Sequence, residues 1–309
     1  MTAKRFFTHP LGILGSAIVS TFLWGSAFPF IKWSYQLLEI SSDEIGEQML
    51  FAGYRFFLAG VLIFILFTVL GREMRYQKGT IVPLAKLGFF QTFLQYVLFY
   101  IGLSLSTGIQ GSIIAGTTSF FQILLAHFMY RNDKMSTRKA IGLLVGFTGV
   151  VLVNITNGEV TLNFGLGEIL LLSAMMISAY GNILARNEAQ RMEVSYITSY
   201  QMLIGSVGLL LIGGFSVGFM PFSFTLQSSL ILLYLAFLSA AGFVLWNNVM
   251  KYNQVGQVSM YLFLVPVFGV MLSSIILNEA IHMFVLLGLL FVASGIVIVN
   301  RSKRQVKEG

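Results

Sequence analysis

Two cations, Lys32 and Arg55, stand inside long apolar runs of this 309-residue sequence. A charge held in hydrocarbon is costly and is by default a functional feature. Arg55 falls about two turns into its run. It has two readings: an anion-binding or gating residue facing a cavity, or half of a structural ion pair with Glu44, Glu47 or Glu168. Lys32 lies near the end of its run and either snorkels to the interface or contacts a solute. Trp24, Phe28, Lys32 and Tyr35 follow helical spacing and would share one face. Gln91 and Gln95 are four apart, as are Tyr96 and Tyr100. Unpaired amides in an apolar medium are costly, so they must meet a partner or a wet cavity. Packing between helices accounts for them as well as solute binding does. Tyr180, Asn182, Gln201, Tyr261 and Trp246 extend the same aromatic-and-amide set, with Ser119 and Gln122 as further additions. Trp246 with Asn247 and Asn248 also reads as an interfacial aromatic belt. The candidate substrate site therefore comprises Trp24, Lys32, Arg55, Gln91, Gln95, Tyr100, Tyr180, Asn182, Gln201, Trp246 and Tyr261. Such a cavity, nearly free of charge, suits an amino-acid-like or amphipathic solute better than a phosphate ester.

Other chemistries find no residues. There is no cysteine, which excludes disulfides, thiol catalysis and thiolate metal sites. His9, His127 and His282 are far apart, so no metal site and no cofactor is expected. The frequent methionines read as packing rather than a soft-metal path. No G-x-x-x-x-G-K-[ST] pattern occurs for nucleotide hydrolysis. Proton coupling would need an acid at membrane depth, and only Glu168 qualifies, with His127 as the other titratable candidate. Exchange or facilitated movement is the expectation, with proton antiport surviving through those two residues.

These residues need elements to position them, and composition names the elements. Hydrophobic residues make up 56% and charged residues 10%, with a mean hydropathy of +0.83. A soluble domain carries about 25% charge. The net charge of +7 therefore belongs to no soluble basic body, so no nucleic-acid partner is expected. Disorder is excluded by the same numbers. Ten apolar runs are each long enough to cross a bilayer: Leu11–Leu37, Met49–Leu70, Pro83–Leu105, Ile109–Tyr130, Ala140–Ile155, Phe164–Ala185, Ser195–Gly214, Ser228–Met250, Gln257–Leu277 and His282–Val299. They are continuous rather than alternating, which selects helices over a barrel. The first is too long for a signal-peptide core and is read as a retained helix. All but two of the 19 Lys and Arg fall in connectors on one side of a ten-helix chain. The positive-inside rule then places both termini in the cytoplasm. The opposite side carries Glu39, Asp43, Glu44, Glu47, Glu159 and Glu279.

The two halves repeat. Gly142, Gly149 and Asn154 recur as Gly288, Gly295 and Asn300 at one constant offset. Gln110 and Ser112 match Gln257 and Ser259, Tyr54-Arg55 matches Tyr200-Gln201, and Lys32 matches Arg186. Five helices per half is an odd number, so the halves, 1–156 and 157–309, must be inverted relative to each other. Inverted repeats with a midplane site at their interface are a transporter signature. The marks "WGSAFPFIK" (24–32), "AGYRFFLAG" (52–60) and "SMYLFLVPVFGVMLSSIILNEAI" (259–281) resemble those of the drug/metabolite transporter superfamily, in its EamA-type ten-helix members. Ser259, Pro266 and Glu279 carry the most specific spacing. The first half departs from it: Ser119 stands where the repeat predicts proline, and Asn132-Asp133 stand near the position of Glu279, so a symmetric site is not expected. The resemblance implies a multi-pass plasma-membrane transporter moving a small metabolite, with export expected over uptake. The alternatives are a membrane-embedded lipid-modifying enzyme, for which no catalytic cluster is visible, and a passive channel. The expected partners are a small-molecule substrate and the lipid bilayer; monomer and homodimer both stay open.

Overall fold

The computed structural model describes residues 2–153, 165–281 and 283–300. Asn154, Glu159, His282 and the C-terminal cations Arg301, Lys303, Arg304 and Lys307 lie outside the described residues. After a short helix, Ala3–Thr8, the chain runs through α1 (Pro10–Leu37), α2 (Ile45–Val69), α3 (Ile81–Ser104), α4 (Gly108–Met129) and α5 (Thr137–Val153). It continues through α6 (Leu166–Glu188), α7 (Val194–Val217), α8 (Leu226–Tyr252), α9 (Val255–Leu277) and α10 (Met283–Asn300). Among the described residues, eight of these, all but α5 and α10, are long and apolar enough to cross a membrane. Helix is the solution that satisfies every backbone group within one apolar segment.

Local sequence sets the ends. Pro10 opens α1, and the His9 ring accepts the Leu11 N–H. Thr107 and Gln110 cap α4 reciprocally, and Thr225 caps α8 with Ser228. Gly218 stops α7 at a φ of 86°, where a side chain would be strained. Large apolar side chains such as Ile65, Leu66, Phe215, Leu230 and Phe237 point outward. A belt of that kind fits lipid rather than water.

The helices pack in matched pairs. α2 lies against α7, and α5 against α10. α1 packs on α8 and α9, while α6 packs on α3 and α4. α2 touches α8, and α7 touches α3. Each contact thus recurs with every helix exchanged for the one five places along. Where α5 crosses α10, a Cβ on Gly295 would lie 2.6 Å from the Gly142 carbonyl oxygen and 2.9 Å from the Gly146 nitrogen. Only glycine permits that approach.

Three helices are irregular. α3 widens to a π-helical segment at Phe89–Leu94. α4 breaks at Gly116, between Gly108–Ala115 and Thr117–Met129. α9 tightens to 3-10 geometry at Ser259–Phe263, at the repeat position equivalent to the α4 break. Irregular backbone at membrane depth is tolerated where it is buried in protein or lines a cavity.

Two helix starts are capped by carboxylates from other helices' ends. The Glu279 carboxylate accepts the Gly108 and Ile109 N–H groups at 3.0 and 2.9 Å, capping α4. Asp133 accepts the Gly256 N–H at 2.7 Å, capping α9. Asp133 and Glu279 sit at the same offset as the repeated glycines. Asp133, a shorter carboxylate, thus caps α9 as Glu279 caps α4.

Candidate functional site

The α4 break and the 3-10 turn of α9 border a cavity of about 70 Å³, room for several waters, with Gln95 just past the α3 widening. Its wall takes Trp24, Ala27 and Phe28 from α1, Arg55 from α2, and Gln95, Tyr96 and Phe99 from α3. Ala115 and Thr118 flank the α4 break; Met175, Ser178 and Asn182 come from α6; Phe243, Leu262 and Val265 come from α8 and α9. Both halves contribute.

Arg55 is the charge of this wall and is 1% exposed. Its Nε donates to the Leu235 carbonyl at 3.2 Å and to Ser239 Oγ at 2.9 Å. Its Nη1 donates to the Tyr100 hydroxyl at 3.1 Å. The guanidinium carbon lies 4.9 Å from the Phe56 ring centroid and 5.8 Å from that of Tyr96. All these partners are neutral. Among the described residues the only ion pair within 4.0 Å joins Lys139 to Asp133, so none of Glu44, Glu47 and Glu168 neutralises Arg55. Glu44 instead accepts the Ser41 N–H. Glu168 caps α6 through the Gly165 N–H and accepts the Ser106 hydroxyl. The ion-pair reading gives way to a buried cation at a cavity, a placement worth about 3 kcal/mol of cost at mid-membrane. An anionic group entering the cavity would offset it.

Two further wall atoms lack partners: the Trp24 indole N–H and the Gln95 carbonyl. They are one donor and one acceptor that the protein itself leaves unpaired. Asn182 belongs to a chain of amides. Gln91 Nε2 donates to Asn182 Oδ1 at 2.9 Å, Asn182 Nδ2 to Gln122 Oε1 at 2.9 Å, and Gln122 Nε2 to Ser259 Oγ at 2.6 Å. The chain links α3, α6, α4 and α9 across the two halves.

The other expected site residues stand off the wall. Tyr100 is a layer behind, holding Arg55. Gln91 is in the amide chain, with its own carbonyl unpaired. Trp246 is fully buried behind Trp24, ring centroids 5.7 Å apart, and is no interfacial belt residue. Asn247 beside it donates to Thr198 Oγ1 at 3.0 Å. Gln201 accepts from Thr92 and ties α7 to α3. Tyr180 meets Phe90 edge-on at 5.1 Å, and Tyr261 is half-buried against the α4–α8 cluster. Lys32 lies in a separate pocket at the α1–α2 end, its Nζ 3.4 Å from the Ser104 carbonyl. Its repeat counterpart Arg186 bonds the Met250 carbonyl at 3.1 Å at the other end. His127 accepts the Met135 N–H at 2.9 Å; neither it nor Glu168 lines the cavity. Phe99, Met175, Ser178, Phe243 and Leu262 were not expected. Among 29 phenylalanines, wall and lipid positions look alike in sequence.

Comparison with known proteins adds four findings. The profile of the EamA-like transporter family matches residues 11–155 and again 165–301. The chain is 27% identical to the uncharacterized transporter YvbV of Bacillus subtilis (strain 168), over 92% of this chain and 90% of that one. It is 26% identical to an S-adenosylmethionine/S-adenosylhomocysteine transporter of Chlamydia trachomatis serovar L2, over 61% of this chain and 58% of that one. A solved crystal structure superposes on it with a TM-score of 0.77 at 14% identity, covering 97% of this chain and 100% of that one, a likeness of fold alone.

Proposed function

The chain belongs to the EamA-like transporter family, and on that premise we propose that it carries an amino-acid-like or amphipathic solute with an anionic group across the plasma membrane by alternating access. The observation that carries this reading is Arg55, buried, without a carboxylate, on the wall of a cavity shared by both halves. Trp24, Phe28, Phe99 and Phe243 offer apolar area for the rest of the solute. The unpaired Gln95 carbonyl suits an ammonium group.

Alternating access is supported by the matched packing, the equivalent breaks in α4 and α9, the reciprocal carboxylate caps and the twofold family match. Two similar halves can exchange conformations around a fixed site. The proposed architecture is ten spans in two inverted repeats, 1–156 and 157–309. The connector cations favour both termini in the cytoplasm, and the wall favours exchange or facilitated movement, since no carboxylate or histidine lines it. Export rather than uptake is the proposed direction. The likeness to the chlamydial S-adenosylmethionine/S-adenosylhomocysteine transporter makes S-adenosylmethionine a sensible probe, because it carries an α-amino carboxylate.

The test is a thermal-shift screen of purified protein against neutral amino acids, S-adenosylmethionine, quaternary amines and sugar phosphates. A ligand bound by the folded state alone raises apparent stability. The expected result is stabilisation by an α-amino carboxylate, lost in Arg55→Gln. Stabilisation by quaternary amines alone, indifferent to Arg55, would overturn the reading. Sidedness of flux in vesicles of known orientation decides direction.

A further inference from the structure

We propose that the pocket at the α1–α2 end is a second, peripheral recognition site for a zwitterion, from which the solute passes to the Arg55 cavity. The inference rests on the transport reading above but concerns different residues. Lys32, Tyr35, Gln36, Glu39 and Ser104 line this pocket. Lys32 and Glu39 carry opposite charges in one cleft, yet they form no ion pair within 4.0 Å. Two charges of opposite sign that do not pair with each other complement a carboxylate and an ammonium on one small molecule. A plain anion would be repelled by Glu39, and a plain cation by Lys32.

A second observation ties the pocket to the central cavity. Tyr35 lines the pocket, is 6% exposed, and its hydroxyl has no hydrogen-bond partner. Its ring lies 6.3 Å from that of Tyr100, whose hydroxyl bonds Arg55. Tyr35 and Tyr100 thus stand between the pocket and Arg55, and the proposed passage runs along them. A carboxylate leaving Lys32 meets the free Tyr35 hydroxyl next and the guanidinium after it. The loop that floors the pocket is fixed rather than loose. Gln48 Nε2 donates to the Ser41 and Ser42 carbonyls at 2.9 and 3.2 Å, and Glu39 holds a φ of 58°.

The test compares uptake and release in proteoliposomes for wild type, Lys32→Gln, Lys32→Arg and Glu39→Gln. The probes are phenylalanine, its N-acetyl derivative and its methyl ester. Lys32→Gln should raise half-saturation for phenylalanine about fivefold at the α1–α2 face, the worth of one half-exposed ion contact. The opposite face should be unchanged, and Lys32→Arg should restore the wild-type value. Glu39→Gln should improve N-acetylphenylalanine relative to phenylalanine. Equal effects at both faces, or none at either, would overturn the peripheral site while leaving an Arg55-dependent flux intact. No Arg55-dependent flux of any probe in wild type would overturn both readings together.

Discussion

Arg55 shows how little charge a membrane site needs. Its guanidinium is held by a carbonyl and two hydroxyls, and its positive charge stays uncancelled. Arg55→Gln removes the attraction and leaves Tyr100 and Ser239 in place. Half-saturation for an α-amino carboxylate should rise roughly thirtyfold, about 2 kcal/mol, in a flux assay. Gly242 sets the position of Trp24: a Cβ there would lie 2.9 Å from the indole nitrogen. Gly242→Ala should push the indole into the cavity and weaken binding about tenfold in the same assay, with folding retained. Asn182 tests the amide chain instead. Asn182→Ala strands Gln91 and Gln122, and a lost partner in a buried network costs about 1–3 kcal/mol. Thermal denaturation in detergent should show a lowered midpoint.

At the scale of elements, the sequence makes the long helices and the repeat legible, since both are written in apolar run length and in glycine spacing. Arg55, Gln95, Asn182 and Trp24, which line the cavity, stand out in sequence as polar groups against hydrocarbon. The apolar wall is not, since Phe99 and Phe243 share their composition with lipid-facing positions. Nor is the widening of α3, where Gln91 lies in a π-helical segment without a proline; Gly116 in α4 and Pro266 beside the 3-10 turn of α9 are local signals by contrast. The equivalence of Asp133 and Glu279 needs the fold, because their roles depend on helices brought from the other half. Each carboxylate joins the free N–H groups of one helix to the end of another, with the macrodipole in its favour. Asp133 is further held by Lys139 at 2.6 Å, so the α4–α5 face is the more firmly tied. Glu279→Gln should therefore ease opening at the α1–α2 face, and Asp133→Asn at the opposite face. With a single cysteine at Ser178, labelling from the corresponding side should quicken about fivefold in each variant.

For the whole molecule, the basic balance of +7 needs no acidic partner under the proposed topology, which sorts the connector cations to one face. What remains is a bundle whose halves pack alike and whose irregular helices meet at one cation-bearing cavity. That arrangement accounts for transport only if the cavity opens to each side in turn. The chain has no cysteine, so Ser178→Cys places one thiol on the cavity wall. In sealed vesicles of known orientation, a membrane-impermeant maleimide should label it from either face. A saturating α-amino carboxylate should protect it from both. Labelling from one face alone, or labelling that the solute leaves untouched, would contradict the account.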